Sequence, residues 1–110
     1  MAKSSGKNMK NETLLSVLGR NPEAYHGAVN IPVYHASTIL YPSVADLKKA
    51  NRREFGKVFY GRHGTPTTFV LQDTVAEIEG GWRSFAFSSG KAAILASLLA
   101  FLDAGDHLLM

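Results

Sequence analysis

No cysteine occurs among the 110 residues, which removes disulfides, thiolate metal sites and thiol nucleophiles from the chemistry open to this chain. Nothing then argues for an oxidising compartment. Long apolar runs are missing as well. The longest, Ala92 to Leu102, is broken by Ser97 and falls short of the ~20 residues that cross a bilayer. Residues 1–13 are polar and lack the apolar stretch of a secretory signal. The expectation is a cytoplasmic protein without membrane contact. Excess charge is scarce in the body of the chain. The net charge is +3, but Lys3, Lys7 and Lys10 supply it, and the remaining nine basic residues face nine acidic ones. A nucleic-acid surface carries its excess on the folded body, so no nucleic-acid partner is expected. The cluster from Lys48 to Arg53 is bracketed by Asp46 and Glu54 without interleaved aromatics, and reads as a solvated helix face. His26, His35, His63 and His107 show no metal-ligand spacing, so no metal is expected.

What is present is ordinary globular composition, 45% hydrophobic, in a length that suits one domain. Residues 1–12 read as a disordered head with little to bury. A short helix over 13–18 ends at Gly19. The stretch Val29 to Tyr41 is β-branched and aromatic, but Pro32 argues against a central strand. It reads as an extended arm lying on another surface. Ser43-Val-Ala-Asp46 has capping-box spacing and predicts a short helix through Leu47 and Lys49.

From residue 65 the elements alternate regularly. Thr65-Pro66 opens a helix, Leu71, Val75 and Ile78 set its apolar stripe, and Gly80-Gly81 ends it. Ser84 to Phe87 is expected as a short strand, Lys91 to Leu102 as a second helix, and His107 to Met110 as the start of another strand. The second helix is apolar nearly all round and calls for burial on several sides. Helix–strand–helix–strand opens a doubly wound α/β sheet. Parallel strands need neighbours and cover on both faces, so the expected α/β fold is incomplete and the chain reads as the front of a longer protein.

Two stretches could carry chemistry. Phe87-Ser88-Ser89-Gly90-Lys91-Ala92 joins a strand to a helix, where free N–H groups and the helix dipole favour an anion. The same residues also suit a plain turn with a serine cap. A P-loop is excluded, because Phe85 and Ala92 stand where it needs Gly and Ser or Thr. Neither Ser88 nor Ser89 sits in a Gly-x-Ser-x-Gly elbow. In Tyr60-Gly-Arg-His-Gly-Thr-Pro-Thr67, two glycines flank Arg62 and His63 ahead of a capped helix. Arg62 offers a fork for phosphate or carboxylate, and Tyr60 a hydroxyl; a solvated loop is the alternative.

Four stretches in one order, His26 to Thr38, Tyr60 to Thr67, Leu71 to Gly81 and Ser88 to Ile94, resemble the cystathionine β-lyase branch of the Cys/Met-metabolism pyridoxal-phosphate enzymes. The form Tyr-Gly-Arg-x-Gly-Thr-Pro-Thr is more similar to the β-lyases than to the γ-lyases or γ-synthases. The resemblance implies a fold-type I large domain, with an N-terminal arm and dimer-contact segment over 13–64 and the start of the cofactor domain over 65–110. It implies pyridoxal 5'-phosphate as cofactor, with Ser89, Gly90 and Lys91 around its phosphate. Tyr60 and Arg62 are implied to reach the phosphate in a neighbouring subunit. Position 91 departs from the family, which usually has Met or Leu there. A homodimer or homotetramer is implied, with cystathionine cleaved by β-elimination to homocysteine, pyruvate and ammonia. The family's cofactor-bonding lysine, pyridine-nitrogen aspartate, ring-stacking tyrosine and substrate-binding arginine match no residue here. No catalytic residue is therefore expected within the chain, and the 110 residues alone are expected to be inactive. Cystathionine γ-lyase, γ-synthase or methionine γ-lyase activity is the alternative within the family. A non-catalytic truncated remnant or interaction module is the alternative outside it.

Overall fold

The computed structural model describes residues 9–50 and 55–109. Most of the expected head, residues 51–53 of the basic cluster, the bracketing Glu54 and Met110 lie outside them. Among the described residues there are four α-helices: α1 (Asn11–Val17), α2 (Val44–Ala50), α3 (Pro66–Ile78) and α4 (Gly90–Leu99). Single 3-10 turns occur at Pro22–Tyr25 and Gly61–His63.

Local chemistry accounts for most of these boundaries. At α2 the Ser43 hydroxyl accepts from the Asp46 amide at 3.1 Å and donates to the Asp46 carboxylate at 2.7 Å, closing the cap that the Ser-x-x-Asp spacing predicts. At α3 Thr65 is the N-cap and Pro66 the first helical residue, but the Thr65 hydroxyl makes no capping bond. The helix ends in a Schellman motif. Gly80 takes the left-handed conformation at φ 64°, its amide donates to Glu77, and the Gly81 amide donates to the Ala76 carbonyl at 2.8 Å. At α4 the Ser89 hydroxyl accepts from the Ala92 amide at 3.2 Å.

Packing departs from the sequence expectation at three places. The buried face of α3 is Phe69, Gln72 and Ala76, continued by Thr65, one row at helical spacing. The stripe Leu71, Val75 and Ile78, expected inward, stays exposed. What covers α3 is the polar-anchored chain on either side of it. Ser84 donates through its hydroxyl to the Gln72 carbonyl at 2.7 Å, and the Phe55 ring lies 6.5 Å from Phe69 and 5.6 Å edge-on from Phe85. Arg83 places its guanidinium 3.7 Å from the Phe55 ring centre and 4.5 Å from that of Trp82.

Second, α4 contains no buried residue. Ile94, Leu95 and Leu99 are exposed, and Phe101 beyond the helix is 87% exposed. The burial expected on several sides is absent because no other helix among the described residues packs on α4; the one helix pair in contact is α1 with α3. The helix also stops at Leu99 rather than Leu102.

Third, neither expected strand forms. Residues 84–87 and 107–109 carry no strand pairing, and no strand occurs among the described residues. A strand exists only through its neighbours' hydrogen bonds, and neither segment has a partner strand. The Cα radius of gyration is 17.3 Å, against about 13 Å for a compact domain of this length. The described elements are thus loosely spread, with many large apolar side chains uncovered. No helix among the described residues is long and apolar enough to cross a membrane.

Candidate functional site

The first candidate is the turn at Tyr60–Gly64. Tyr60 is extended (φ −157°, ψ 130°) and caps the 3-10 turn Gly61–His63. The His63 amide donates to the Tyr60 carbonyl at 2.9 Å and the Gly64 amide to the Gly61 carbonyl at 3.2 Å. This puts Tyr60, Arg62 and His63 side by side at the surface. The Arg62 guanidinium lies 5.9 Å from the Tyr60 ring centre. The His63 ring stacks on Phe59 at 4.8 Å and is tilted against Tyr60 at 5.9 Å. A phenol hydroxyl and a guanidinium fork therefore sit together, exposed, on one short turn.

The arm holds this turn in place. The Gly61 amide donates to the Ser37 carbonyl at 2.7 Å. A Cβ at position 61 would collide with the Ala36 carbonyl, so only glycine permits this approach. The Ser37 hydroxyl donates to the Tyr60 hydroxyl at 3.4 Å, and the Tyr41 hydroxyl to the Phe59 carbonyl at 3.4 Å. Six residues along, Thr67 uses its hydroxyl twice. It accepts from the Tyr34 amide at 2.9 Å and donates to the Pro32 carbonyl at 3.0 Å. The segment read as an extended arm lying on another surface thus lies, from Pro32 to Tyr41, on the stretch 59–67 of its own chain. Ser37 and Thr67 are the structurally important residues that sequence reasoning passed over. Both fall inside quoted motifs, but their pairings span 23 to 35 residues and leave no local signature.

The second candidate is the start of α4. The Ser89 hydroxyl is spent on the Ala92 amide and the Ser89 carbonyl receives the Ala93 amide. The amides of Gly90 and Lys91 precede any intrahelical partner and stay open. Gly90 has nothing within 4 Å of where a Cβ would stand, and Lys91 is exposed beside it. The N–H groups of Gly90 and Lys91 at the positive end of α4, with an exposed lysine among them, are a donor set that fits a phosphate. Among the described residues, no hydrogen bond or ring contact joins Tyr60 or Arg62 to Ser89, Gly90 or Lys91, so the five candidate residues are held in two groups by different partners. No group of three or more His, Asp or Glu able to hold a metal occurs among the described residues.

An open turn bearing an arginine and a tyrosine, with a capped helix start further along, offers hydrogen-bond donors of the kind that suit a phosphate. Residues 12–110 match the family of Cys/Met-metabolism PLP-dependent enzymes, and the chain belongs to that family. Pyridoxal phosphate is accordingly the cofactor of its class. The chain is 44% identical over 93 residues to a cystathionine beta-lyase of Haemophilus influenzae, covering 84% of this chain and 24% of that protein. It is 44% identical over 102 residues to a cystathionine beta-lyase of Escherichia coli, covering 92% and 26% respectively. An L-alanine/L-glutamate racemase of Wolbachia pipientis is 38% identical over 112 residues, covering 93% of this chain and 28% of that protein. The chain spans about a quarter of the length of these relatives.

Proposed function

We propose that residues 13–110 supply the cofactor-phosphate contacts of a cytoplasmic carbon–sulfur lyase that cleaves cystathionine by β-elimination to homocysteine, pyruvate and ammonia. The observation that carries this reading is the pairing of two phosphate-suited donor groups with relatives at 44% identity that are cystathionine beta-lyases. Arg62 offers two parallel N–H donors to phosphate oxygens, and Tyr60 one O–H donor beside it. Gly90 and Lys91 offer backbone amides at the positive end of α4. When bound, pyridoxal phosphate supplies the electron sink for charge developing at the substrate Cα.

In this reading the five residues orient the group and do not move protons at the substrate. The family resemblance supports placing Tyr60 and Arg62 in the site of a neighbouring subunit, in a homodimer or a tetramer of dimers. The segment 13–64 is then the arm and subunit-contact region, and 65–110 the beginning of the cofactor domain. A second reading has its own support. The racemase relative aligns over the same stretch at 38% identity, and racemisation, like elimination, begins by removing the Cα proton. Residues 12–110 then hold a cofactor common to both reactions, and the choice between them is made elsewhere.

The test uses the 110-residue chain with pyridoxal phosphate and cystathionine, following pyruvate. The expected result is no pyruvate above the cofactor blank. In parallel, titration with pyridoxine 5'-phosphate, which lacks the aldehyde and cannot condense with surface lysines, should shift the amide resonances of Gly61, Arg62, Gly90 and Lys91. Pyruvate release, or shifts confined to residues outside these two groups, would overturn the reading.

A further inference from the structure

Ser37 touches the Tyr60–Arg62 turn at both of its working parts. Its carbonyl accepts the Gly61 amide at 2.7 Å, fixing the main chain between Tyr60 and Arg62. Its hydroxyl donates to the Tyr60 hydroxyl oxygen at 3.4 Å. A phenol has one proton to give and lone pairs to receive. With Ser37 donating into a lone pair, the Tyr60 hydroxyl keeps its own proton to give, and no acceptor for it occurs among the described residues. The Ser37 hydroxyl likewise has no second partner among them. The turn itself adds the third constraint, since the Tyr60 carbonyl is engaged by the His63 amide at 2.9 Å. Both ends of Tyr60 are therefore held while its O–H stays available, and Arg62 lies across the same ring.

We propose that Ser37 is a positioning residue that aims the Tyr60 hydroxyl, beside Arg62, at a phosphate oxygen. The proposal rests on the phosphate reading of the previous subsection and adds to it the residue that sets the geometry. The 3.4 Å separation is longer than the roughly 2.5–3.0 Å of a well-formed O–H···O bond, so the contact is weak without a ligand. It shortens when an anion draws the phenol proton, because each bond in a chain of hydroxyls polarises the next. Ser37 is exposed, so its side chain has little packing to lose and truncation reports on the hydroxyl.

The experiment is a titration of the chain with pyridoxine 5'-phosphate, and with inorganic phosphate as the minimal probe, read at the Gly61 and Arg62 amides. Ser37→Ala is expected to weaken binding by about fivefold, the weight of one net hydrogen bond, and Ser37→Thr to restore it. Tyr60→Phe should cost a similar factor. In the Tyr60→Phe background, Ser37→Ala should cost nothing further, since the hydroxyl it acts through is gone. A merely structural serine would lose affinity equally in both backgrounds, and that result overturns the proposal. So does a Ser37→Ala variant that binds like the parent while Tyr60→Phe and Arg62→Ala bind weakly, which leaves the phosphate reading standing. If Tyr60→Phe and Arg62→Ala both bind like the parent, the phosphate reading falls and Ser37 falls with it. Independently of any ligand, the parent chain should show a nuclear Overhauser contact between the Ser37 β-protons and the Tyr60 ring; its absence overturns the proposal.

Discussion

Replacing Gly61 with alanine should loosen the arm from the 59–67 stretch, and the size of the effect follows from what a methyl group would meet. The added Cβ falls on the Ala36 carbonyl, with the Ser37 amide nitrogen at 3.0 Å. These are backbone atoms, so no side-chain rotation relieves the overlap. The two segments must separate, which stretches the 2.7 Å bond from the Gly61 amide to the Ser37 carbonyl. Overpacking of this kind costs about 1–3 kcal/mol, and loss of the bond about 1 kcal/mol more. Position 61 is not in the left-handed region, so alanine brings no backbone strain there. Its stiffer unfolded chain returns about 0.4–1 kcal/mol. The net local destabilisation is about 1–3.6 kcal/mol, which amounts to amide exchange about 5–400-fold faster at residue 61. Hydrogen exchange followed by NMR measures it directly. Protection at residue 61 equal to that of the parent, within about twofold, would refute the close approach on which the arm's docking rests.

Gly90→Ala tests the opposite sign: with nothing within 4 Å of its Cβ and a helical backbone, it should stabilise α4 by up to about 1 kcal/mol while weakening pyridoxine 5'-phosphate binding, as seen by amide exchange and titration. Ser89→Ala should remove the cap on the Ala92 amide and cost about 1 kcal/mol, visible as fraying of residues 90–93 in their Cα chemical shifts. Thr67→Val keeps the side-chain shape but loses both bonds to Pro32 and Tyr34; about 1–3 kcal/mol of local stability should go, with exchange at the Tyr34 amide rising accordingly and Thr67→Ser retaining the parent's protection.

Elements fixed by near neighbours were legible in the sequence. The Ser43–Asp46 cap, Pro66 at the start of α3, the Gly80-Gly81 stop and the Ser89 cap each involve residues within about four positions of one another, and each stands as the spacing predicts. The strands at 84–87 and 107–110 were not legible in the same sense. Their alternating or apolar residues describe a segment suited to a sheet, but strand formation is a property of the pair. The inward face of α3 was misread for a related reason. Leu71, Val75 and Ile78 form the more apolar stripe, yet burial follows what is available to pack. Here that is Phe55, the Gly64 region and the Ser84 hydroxyl, which settle on Phe69, Gln72 and Ala76. Among the candidate site residues, Tyr60 and Arg62 announced themselves by type and by flanking glycines. Their supports Ser37 and Thr67 did not, because serine and threonine in an extended segment look the same whether or not they are bonded.

The two candidate groups differ in how they are held, and that difference bears on how each responds to perturbation. The α4 start is organised by its own cap: Ser89 serves Ala92 and Ala93 three and four residues on, so it needs only the helix. The Tyr60–Arg62 turn is organised by the arm, through Ser37, Thr67 and Tyr41. The uncovered side chains Leu71, Val75, Ile78, Ile94, Leu95 and Leu99 lie on the helices, where covering each large side chain is worth about 1.5–3 kcal/mol. Cover over these faces would therefore stabilise α3 and α4 without touching the bonds that set Tyr60 and Arg62. Arm variants should alter phosphate contact at residues 61 and 62 alone, and cap variants at 90 and 91 alone. In the monomeric chain, combined variants should be additive within about 0.5 kcal/mol, since there the two groups share no phosphate; in the proposed subunit pair, where both meet one phosphate, they should couple. Marked non-additivity in the isolated chain would mean that the two groups meet in solution around one phosphate, and would replace the two-subunit arrangement with a single site built from both.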